Sequence, residues 1–259
     1  MAFWTSQKRG KTSTATCNPA LETFAVFEGV SLTLGDRRVL NGINLSLSEH
    51  RIGVVGLNGS GKSSLARLLN GLHLPGQGSV EMFGAATEKV RAELPRHVGF
   101  VFQNPDHQAI FPTVEEEIAF GLTQLGHAKA EAREQALAFL GRHHCAAVAK
   151  LPFAELSEGQ KQLICILAVL VMRPQLLVLD EPMASLDGLA SRRIMNRLKG
   201  LEQKIVMISH DLQFLTDFDR VLWLEDGQLR MDGLPGEVLT AYADDLARRA
   251  AAPTLEVDL

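Results

Sequence analysis

The sequence predicts an α/β fold: a mixed-sheet core with an antiparallel β subdomain and an inserted helical subdomain. LLVLD and KIVMIS are continuous apolar runs, which are typical of strands covered on both faces of a parallel sheet. Residues 24–47 contain short alternating apolar stretches, as antiparallel strands do. A mainly helical region, about residues 113–173, separates the strand HVGFVF from LLVLD.

Length and composition limit the chain to one large domain, or a core with a subdomain, since it has 259 residues with 46% hydrophobic content. The net charge of −4 indicates no diffuse basic patch, so we expect no nucleic-acid partner. Three cysteines (Cys17, Cys145 and Cys165) lack metal-site spacing and indicate reduced thiols in a cytosolic compartment. The longest apolar run, 163–172, is about half of the roughly 20 residues that a membrane span needs, so a membrane would be reached through a partner.

The first half of the chain predicts strands, a loop and a helix in that order. Residues 24–47 predict strands broken by turns at GlyAsp 35–36 and AsnGly 41–42. RIGVVG is the next strand, and a glycine-rich loop follows it. Leucines at 65, 68, 69 and 72 then show the i, i+3, i+4, i+7 repeat of a helix. SVEMF and HVGFVF are two further strands.

The second half begins with the helical region, where Thr113 and Glu116 predict a capping box. VLWLEDGQLRMDG predicts a hairpin at AspGly 226–227. The predicted division is a flexible N-terminal extension without a signal peptide (1–21), a core with its β subdomain (22–112 and 174–240), a helical subdomain (113–173), and a C-terminal tail read as a frayed helix (241–259).

GLNGSGKS, residues 56–63, has the spacing of a phosphate-binding loop and lies between a strand and a helix, as that pattern requires. Glycines allow close approach of phosphate, and loop N–H groups with the helix N-terminus supply positive charge. Lys62 is expected to reach the β- and γ-phosphates and Ser63 to place a hydroxyl on Mg²⁺. The alternative is an ordinary glycine-rich turn, but such a turn would not need a lysine at position 62 followed by a serine at position 63. The predicted nucleotide-binding residues here are Gly56, Asn58, Gly59, Ser60, Gly61, Lys62, Ser63 and Ser64.

Two further motifs carry candidate chemistry. In LLVLDEP, Asp180 is positioned to hold Mg²⁺ and Glu181 to act as general base toward water, although a solvated acid pair at a strand end is the plainer alternative. In LSEGQ, Ser157 and Gln160 form a capping box at a helix start, which is an anion site. Taken alone, LSEGQ is better interpreted as an ordinary helix cap.

The ordered set GLNGSGKS, FVFQNP, LSEGQKQ, LLVLDEP, MASLD and ISHD resembles the ATP-binding-cassette (ABC) ATPases over about residues 22–238. This resemblance implies a P-loop NTPase fold, ATP and Mg²⁺ as ligands, and a head-to-tail dimer; a homodimer is favoured, with a heterodimer as the alternative. Each ATP would lie between the Lys62 loop of one subunit and the LSEGQ helix start of the other. The residues contributed by that helix start would be Ser157, Gly159 and Gln160.

Three more residues acquire roles from the resemblance. It implies that Gln103 contacts Mg²⁺ and the attacking water, that Asp187 bridges the dimer, and that His210 contacts the γ-phosphate. His210 also ends a predicted buried strand beside that of Asp180, at the sheet edge where ligands of open α/β sheets collect.

Two positions depart from the family pattern. Glu158 stands where the family has glycine, and we expect its carboxylate to point away from phosphate because an acid at the first helical position is favoured by the helix dipole. Leu34 stands where the family usually has an aromatic residue that stacks on adenine. Leu34 offers apolar contact without a π-face, which puts base affinity and ATP-over-GTP preference in question.

The stretch FQNPDHQAIFPTVEEEIAFGL resembles the corresponding region of energy-coupling-factor importers. That resemblance implies a transmembrane coupling (T) protein and a substrate-binding (S) membrane protein as partners, and a peripheral place on the cytoplasmic face of the inner membrane. RIGVVGLNGSGKSS and the KQL after LSEGQ look most like ATPases of biotin transporters. Cobalt or nickel importers, and a soluble non-transport cassette, remain alternatives.

Acidic residues in the same stretch have two interpretations. Asp106 and Glu115 to Glu117 could receive basic side chains from the coupling protein, or the glutamates could serve their own helix N-terminus. Two rival classes fit less well: a GTPase would need an N-K-x-D motif, which is absent, and a catalytically silent cassette would not need both Glu181 and His210.

Overall fold

A computed structural model describes residues 16–251 of the chain. The strands of this part are β1 (Ala25–Leu34), β2 (Arg37–Leu47), β3 (Arg51–Val55), β4 (Gln77–Met82), β5 (Ala85–Ala86), β6 (Val98–Val101), β7 (Leu176–Asp180), β8 (Lys204–Ile208), β9 (Arg220–Glu225) and β10 (Gln228–Gly233). The helices are α1 (Lys62–Leu69), α2 (Thr87–Val90), α3 (Val114–Gln124), α4 (Lys129–Arg142), α5 (Glu158–Leu170), α6 (Gly188–Lys199) and α7 (Pro235–Ala251).

The larger sheet has six strands in the order β10-β9-β3-β8-β7-β6. All its neighbouring strands are parallel except the β9–β10 hairpin, which is antiparallel as AspGly 226–227 predicts. β7 reads LLVLD and every residue in it is buried. Leu176 and Val178 pack into one core and Leu177 and Leu179 into the other, because successive side chains of a strand point to opposite faces. Continuous apolar runs therefore mark strands covered on both sides.

The smaller sheet is antiparallel, in the order β2-β1-β4-β5. The predicted turn at 35–36 joins β1 to β2, but the one predicted at 41–42 is wrong, because β2 continues through it. Partners shift from Leu32–Leu40 to Val30–Ile43, so β2 carries one extra residue there. Gly42 takes a φ of +64°, a left-handed conformation that glycine adopts without strain. AsnGly thus forms a β-bulge rather than a turn.

The helical region between β6 and β7 contains α3, α4 and α5, and the predicted capping box of Thr113 and Glu116 is present at α3. α3 packs against both α4 and α5. Within residues 16–251, no helix combines the length and apolar character needed to span a bilayer.

Both predicted end segments are partly outside the described residues. Of the extension predicted for 1–21, residues 16–21 form no helix or strand, yet the Asn18 N–H donates to the Phe83 carbonyl at 2.9 Å, so this portion is attached to the smaller sheet. The tail boundary predicted at 240/241 falls within α7, which runs from Pro235 and buries Tyr242 against Trp223 of β9. Residues 241–251 therefore continue an ordered helix instead of starting a frayed one.

Candidate functional site

The phosphate-loop motif connects β3 to α1, and glycine is required in it for steric reasons. Gly56, Gly59 and Gly61 have φ values of +148°, +80° and +104°. A Cβ at Gly56 would collide with the Leu224 carbonyl oxygen, and one at Gly61 would lie 2.7 Å from the Val39 carbonyl oxygen. The loop is consequently fixed between β9 and β2 by close backbone contacts.

Lys62 begins α1 and is 4% exposed. Its Nζ donates to the carbonyls of Gly56 at 2.7 Å and Leu57 at 3.0 Å. Burial lowers the pKa of Lys62, while the charges of Glu181 and Asp180 oppose that shift. The ammonium group is thus held by the loop it belongs to and is placed beside two carboxylates.

Asp180 is the last residue of β7 and is 5% exposed. The Ser63 hydroxyl donates to Asp180 Oδ1 at 3.0 Å. Burial raises the pKa of Asp180, and the hydrogen bond from Ser63 opposes that shift. A hydroxyl and a buried carboxylate therefore meet directly behind the phosphate loop.

Glu181 follows with a φ of +52°, an uncommon conformation for a residue with a side chain. Its Oε1 lies 2.6 Å from His210 Nε2, and its Oε2 accepts a hydrogen bond from Gln103 Nε2 at 3.1 Å. Gln103, Glu181 and His210 follow the neighbouring strands β6, β7 and β8 by one or two residues. The carboxyl ends of three parallel strands thus bring the predicted catalytic residues together.

One cavity of about 630 Å³ collects most of these groups. Gly56, Ser60 and Asp180 are buried and do not line it. Ser60 Oγ is buried without a hydrogen-bond partner among the described residues. The predicted residues that line the cavity are Asn58, Gly59, Gly61, Lys62, Ser63, Ser64, Gln103, Glu181 and His210.

The remaining predicted residues line a different cavity, of about 820 Å³. Ser157 caps α5, accepting from the Gln160 N–H at 3.4 Å while its own N–H donates to Gln160 Oε1 at 2.9 Å. Asp187 caps α6 by accepting from two backbone N–H groups at 2.8 and 2.9 Å. Ser157, Gly159, Gln160 and Asp187 share this second cavity, and none of them lines the one at Lys62.

The sequence profile of the family described as "ABC transporter" matches residues 40–184, more than half of the chain. This chain belongs to the ABC transporter family. It is the ATPase component of that family, and the predicted cassette fold is confirmed.

Several curated relatives of this ABC ATPase carry functional names. The chain is 45% identical to the "Biotin transport ATP-binding protein BioM" of Rhodobacter capsulatus over 82% of its own length and 91% of the relative's. It is 41% identical to the "Energy-coupling factor transporter ATP-binding protein EcfA" of Syntrophomonas wolfei over 82% of its own length and 80% of the relative's.

Solved structures agree with the ABC fold. CbiO1 of Clostridium perfringens, described as part of the ABC transporter complex CbiONQ, superposes with a TM-score of 0.75 at 28% identity, covering 90% of this chain and 97% of CbiO1. The cassette MJ0796, solved as a dimer in a post-hydrolysis state with ADP and Pi, superposes with a TM-score of 0.71 at 26% identity, covering 82% and 98%.

Acidic residues of this ABC ATPase that could have received a partner's basic side chains have partners of their own. Glu115 pairs with Arg133 of α4, and Glu117 Oε2 accepts the N–H groups of Ile110 and Phe111, both at 2.9 Å. Glu116 belongs to the α3 capping box, and Asp106 pairs with Lys161. Glu116 thus serves the start of its own helix, whereas Glu115 is paired with α4 and Glu117 holds the loop that precedes α3.

Two site residues of this ABC ATPase were not identified from the sequence. Lys161 Nζ lies 2.9 Å from Asp106 Oδ1 and 3.3 Å from Glu158 Oε1, so the Glu158 carboxylate is paired within its own helix, while Glu158 also lines the cavity shared by Ser157 and Gly159. Arg37 lines the Lys62 cavity from β2. The available signals were weak: Lys161 directly follows LSEGQ, and Arg37 is one of two adjacent arginines at a hairpin.

Proposed function

We propose that this chain is the ATP-hydrolysing subunit of an energy-coupling-factor importer and that biotin is the transported vitamin. Membership in the ABC family supports the ATPase, and the names of the Syntrophomonas and Rhodobacter relatives support the importer class and the substrate. The observation that carries the chemistry is the meeting of Gln103, Glu181 and His210 over the phosphate loop.

The proposed hydrolysis follows from that geometry. Loop N–H groups and Lys62 bind the β- and γ-phosphates, and His210 contacts the γ-phosphate. Glu181, oriented by hydrogen bonds on both carboxylate oxygens, accepts a proton from water as the water oxygen attacks the γ-phosphorus. The bond from that phosphorus to the bridging oxygen breaks, which gives ADP and inorganic phosphate.

Ser63 and Asp180 are suited to hold Mg²⁺. Magnesium takes oxygen ligands, usually one or two carboxylates with substrate phosphates and water, and a hydroxyl and a buried carboxylate lie side by side here. Such a site needs no cluster of three or more acidic, histidine or cysteine residues, and residues 16–251 contain none. When bound, the ion would offset phosphate charge, and Gln103 would reach it from the end of β6.

A head-to-tail homodimer would complete each nucleotide site. Ser157, Gly159, Gln160 and Asp187 lie on a cavity separate from that of Lys62, so a single copy does not surround one nucleotide with both groups. The dimeric MJ0796 structure supports this arrangement for a cassette of the same fold. ATP would then act as a ligand selective for the closed dimer.

The membrane partners would be a transmembrane coupling protein and a substrate-binding membrane protein, with this subunit peripheral on the cytoplasmic face. Uptake of labelled biotin, cobalt and nickel by cells carrying Lys62→Ala in place of the wild-type chain tests the proposal. We expect biotin uptake to be lost while metal uptake is unchanged, because Lys62 is the phosphate-loop cation. Lys89→Ala, an exposed lysine of α2, serves as the control.

Each other outcome has a distinct meaning. Loss of cobalt or nickel uptake with normal biotin uptake would show that the chain serves a metal importer and not a biotin importer. Normal uptake of all three, together with ATPase activity that never sediments with membranes, would instead support a soluble cassette protein.

A further inference from the structure

The Lys62 cavity has a wall that does not come from the parallel sheet. Arg37 and Val39 of β2, in the antiparallel sheet, line it together with the phosphate loop. Residues two apart on a strand share a face, so both side chains can point into the same space. Arg37 Nη2 donates to the Gly59 carbonyl at 3.3 Å, which places the guanidinium against the loop.

Arg37 is exposed, and no carboxylate lies within 4 Å of its guanidinium among the described residues. Its neighbour Arg38 donates to Asn41 Oδ1 at 3.1 Å and does not line the cavity. Two adjacent arginines therefore differ in environment, and only the first faces the nucleotide site.

Among the described residues, the cavity lining contains no Phe, Tyr or Trp. Its one ring, the imidazole of His210, is bonded to Glu181. Leu34 pairs with Arg37 in the β1–β2 register but does not line the cavity. Among the described residues that line this cavity, the flat cationic group is therefore the Arg37 guanidinium.

We propose that Arg37 binds the nucleobase, its guanidinium plane stacking on the purine ring of ATP. Planar guanidinium groups stack on aromatic faces and carry a charge that the π-system attracts. The loop carbonyl of Gly59 orients that plane in the free protein. This inference rests on nucleotide binding at the cavity and is independent of the importer class and of its substrate.

The test compares MgATP with tripolyphosphate, which has the phosphates without the base, by titration calorimetry. For Arg37→Ala we expect the Kd for ATP to rise about fivefold, which corresponds to the roughly 1 kcal/mol of an exposed cation–π contact. The Kd for tripolyphosphate should stay within about twofold of wild type, because its phosphates contact the loop and not Arg37.

Two further variants sharpen the result. Arg37→Trp restores an extended flat surface and should return the ATP Kd to within about twofold of wild type. Arg38→Ala removes the same charge from the adjacent residue and should leave both affinities unchanged. Because Arg37 is exposed, the thermal unfolding midpoint of each variant should match wild type.

Three results would overturn the proposal. Equal weakening of ATP and tripolyphosphate binding in Arg37→Ala would assign Arg37 to the phosphates. An unchanged ATP Kd in Arg37→Ala would show that Arg37 does not contact the nucleotide. If Arg37→Ala and Arg38→Ala raised the Kd for ATP equally, the effect would come from the loss of positive charge near the cavity and not from stacking.

Discussion

Glu181 has both carboxylate oxygens engaged, by Gln103 and by His210. LLVLDEP is sufficient to predict that two acids end a buried strand. It cannot predict the hydrogen bond from Gln103, because that residue lies 78 positions earlier and is brought near only by the pairing of β6 with β7. At this scale, sequence identifies the candidate groups, and tertiary structure decides which of them touch.

Replacing Glu158 by glycine should change the KM for ATP by less than about twofold. The carboxylate bonds to Lys161 and its side chain is 49% exposed, so its repulsion of nucleotide is weak. Loss of an acid from the first helical turn should lower the thermal unfolding midpoint slightly, since that contact with the helix dipole is worth about 0.3–1 kcal/mol. Steady-state phosphate release and thermal unfolding measure the two effects.

Ser157→Ala is the comparison for Glu158→Gly, because it removes the α5 cap and a proposed nucleotide contact together. It should raise the KM. A sharply lower KM in Glu158→Gly would mean that the carboxylate does face the phosphates.

The segment after β6 is tied to α5 by several contacts, of which two involve side chains of the segment. Asp106, in the 3-10 turn Pro105–His107, pairs with Lys161, and Gln108 Nε2 donates to the Cys165 carbonyl at 3.0 Å. The hydrogen bond to Asp106 raises the pKa of Lys161. Movement of α5 would therefore be transmitted to the loop that carries Gln103.

Lys161→Met should lower kcat about fivefold with little change in KM. The variant keeps the length of the apolar side chain but removes both ion pairs, so the loop that carries Gln103 loses one of its attachments to α5; we expect less than the roughly 100-fold loss that a fully misplaced catalytic group can cause. ATPase assays at saturating ATP give the measurement. Lys150→Met, at an exposed lysine of the helical region, is the matched control.

A double variant tests whether the ion pair itself is responsible. Asp106→Asn added to Lys161→Met should lower kcat little further, because both changes break the same contact. An unchanged kcat in Lys161→Met would show that the Gln103 loop is positioned without it.

At the scale of the whole molecule, the described residues proposed to bind nucleotide line two separate cavities, one at Lys62 and one at Ser157. Glu181→Gln should therefore trap ATP and elute as a dimer with MgATP, since hydrolysis no longer reopens the complex. Light scattering after size exclusion should give twice the monomer mass, and phosphate release should be abolished. Lys62→Ala should remain monomeric with ATP, whereas a monomeric Glu181→Gln at saturating ATP would contradict the dimer proposal.

At the same scale, the parallel core was predictable from continuous apolar runs, because burial on both faces leaves little choice of residue. The bulge at Gly42 could not be predicted from the sequence. AsnGly is compatible with both a turn and a bulge, and only the pairing with the neighbouring strand distinguishes the two. The partners of Glu115 and Glu117 could not be predicted either, since the sequence does not show which group a charged side chain will contact.

The left-handed backbone conformation of Glu181 lowers the stability of the protein at the position of its proposed general base. A residue with a side chain in that conformation costs about 1–2 kcal/mol, whereas glycine adopts it freely. Against a total stability of about 5–15 kcal/mol for a folded domain, that is a noticeable fraction. Replacing Glu181 by glycine would therefore relieve this backbone cost while removing the proposed general base, so stability and turnover make opposite demands at this position.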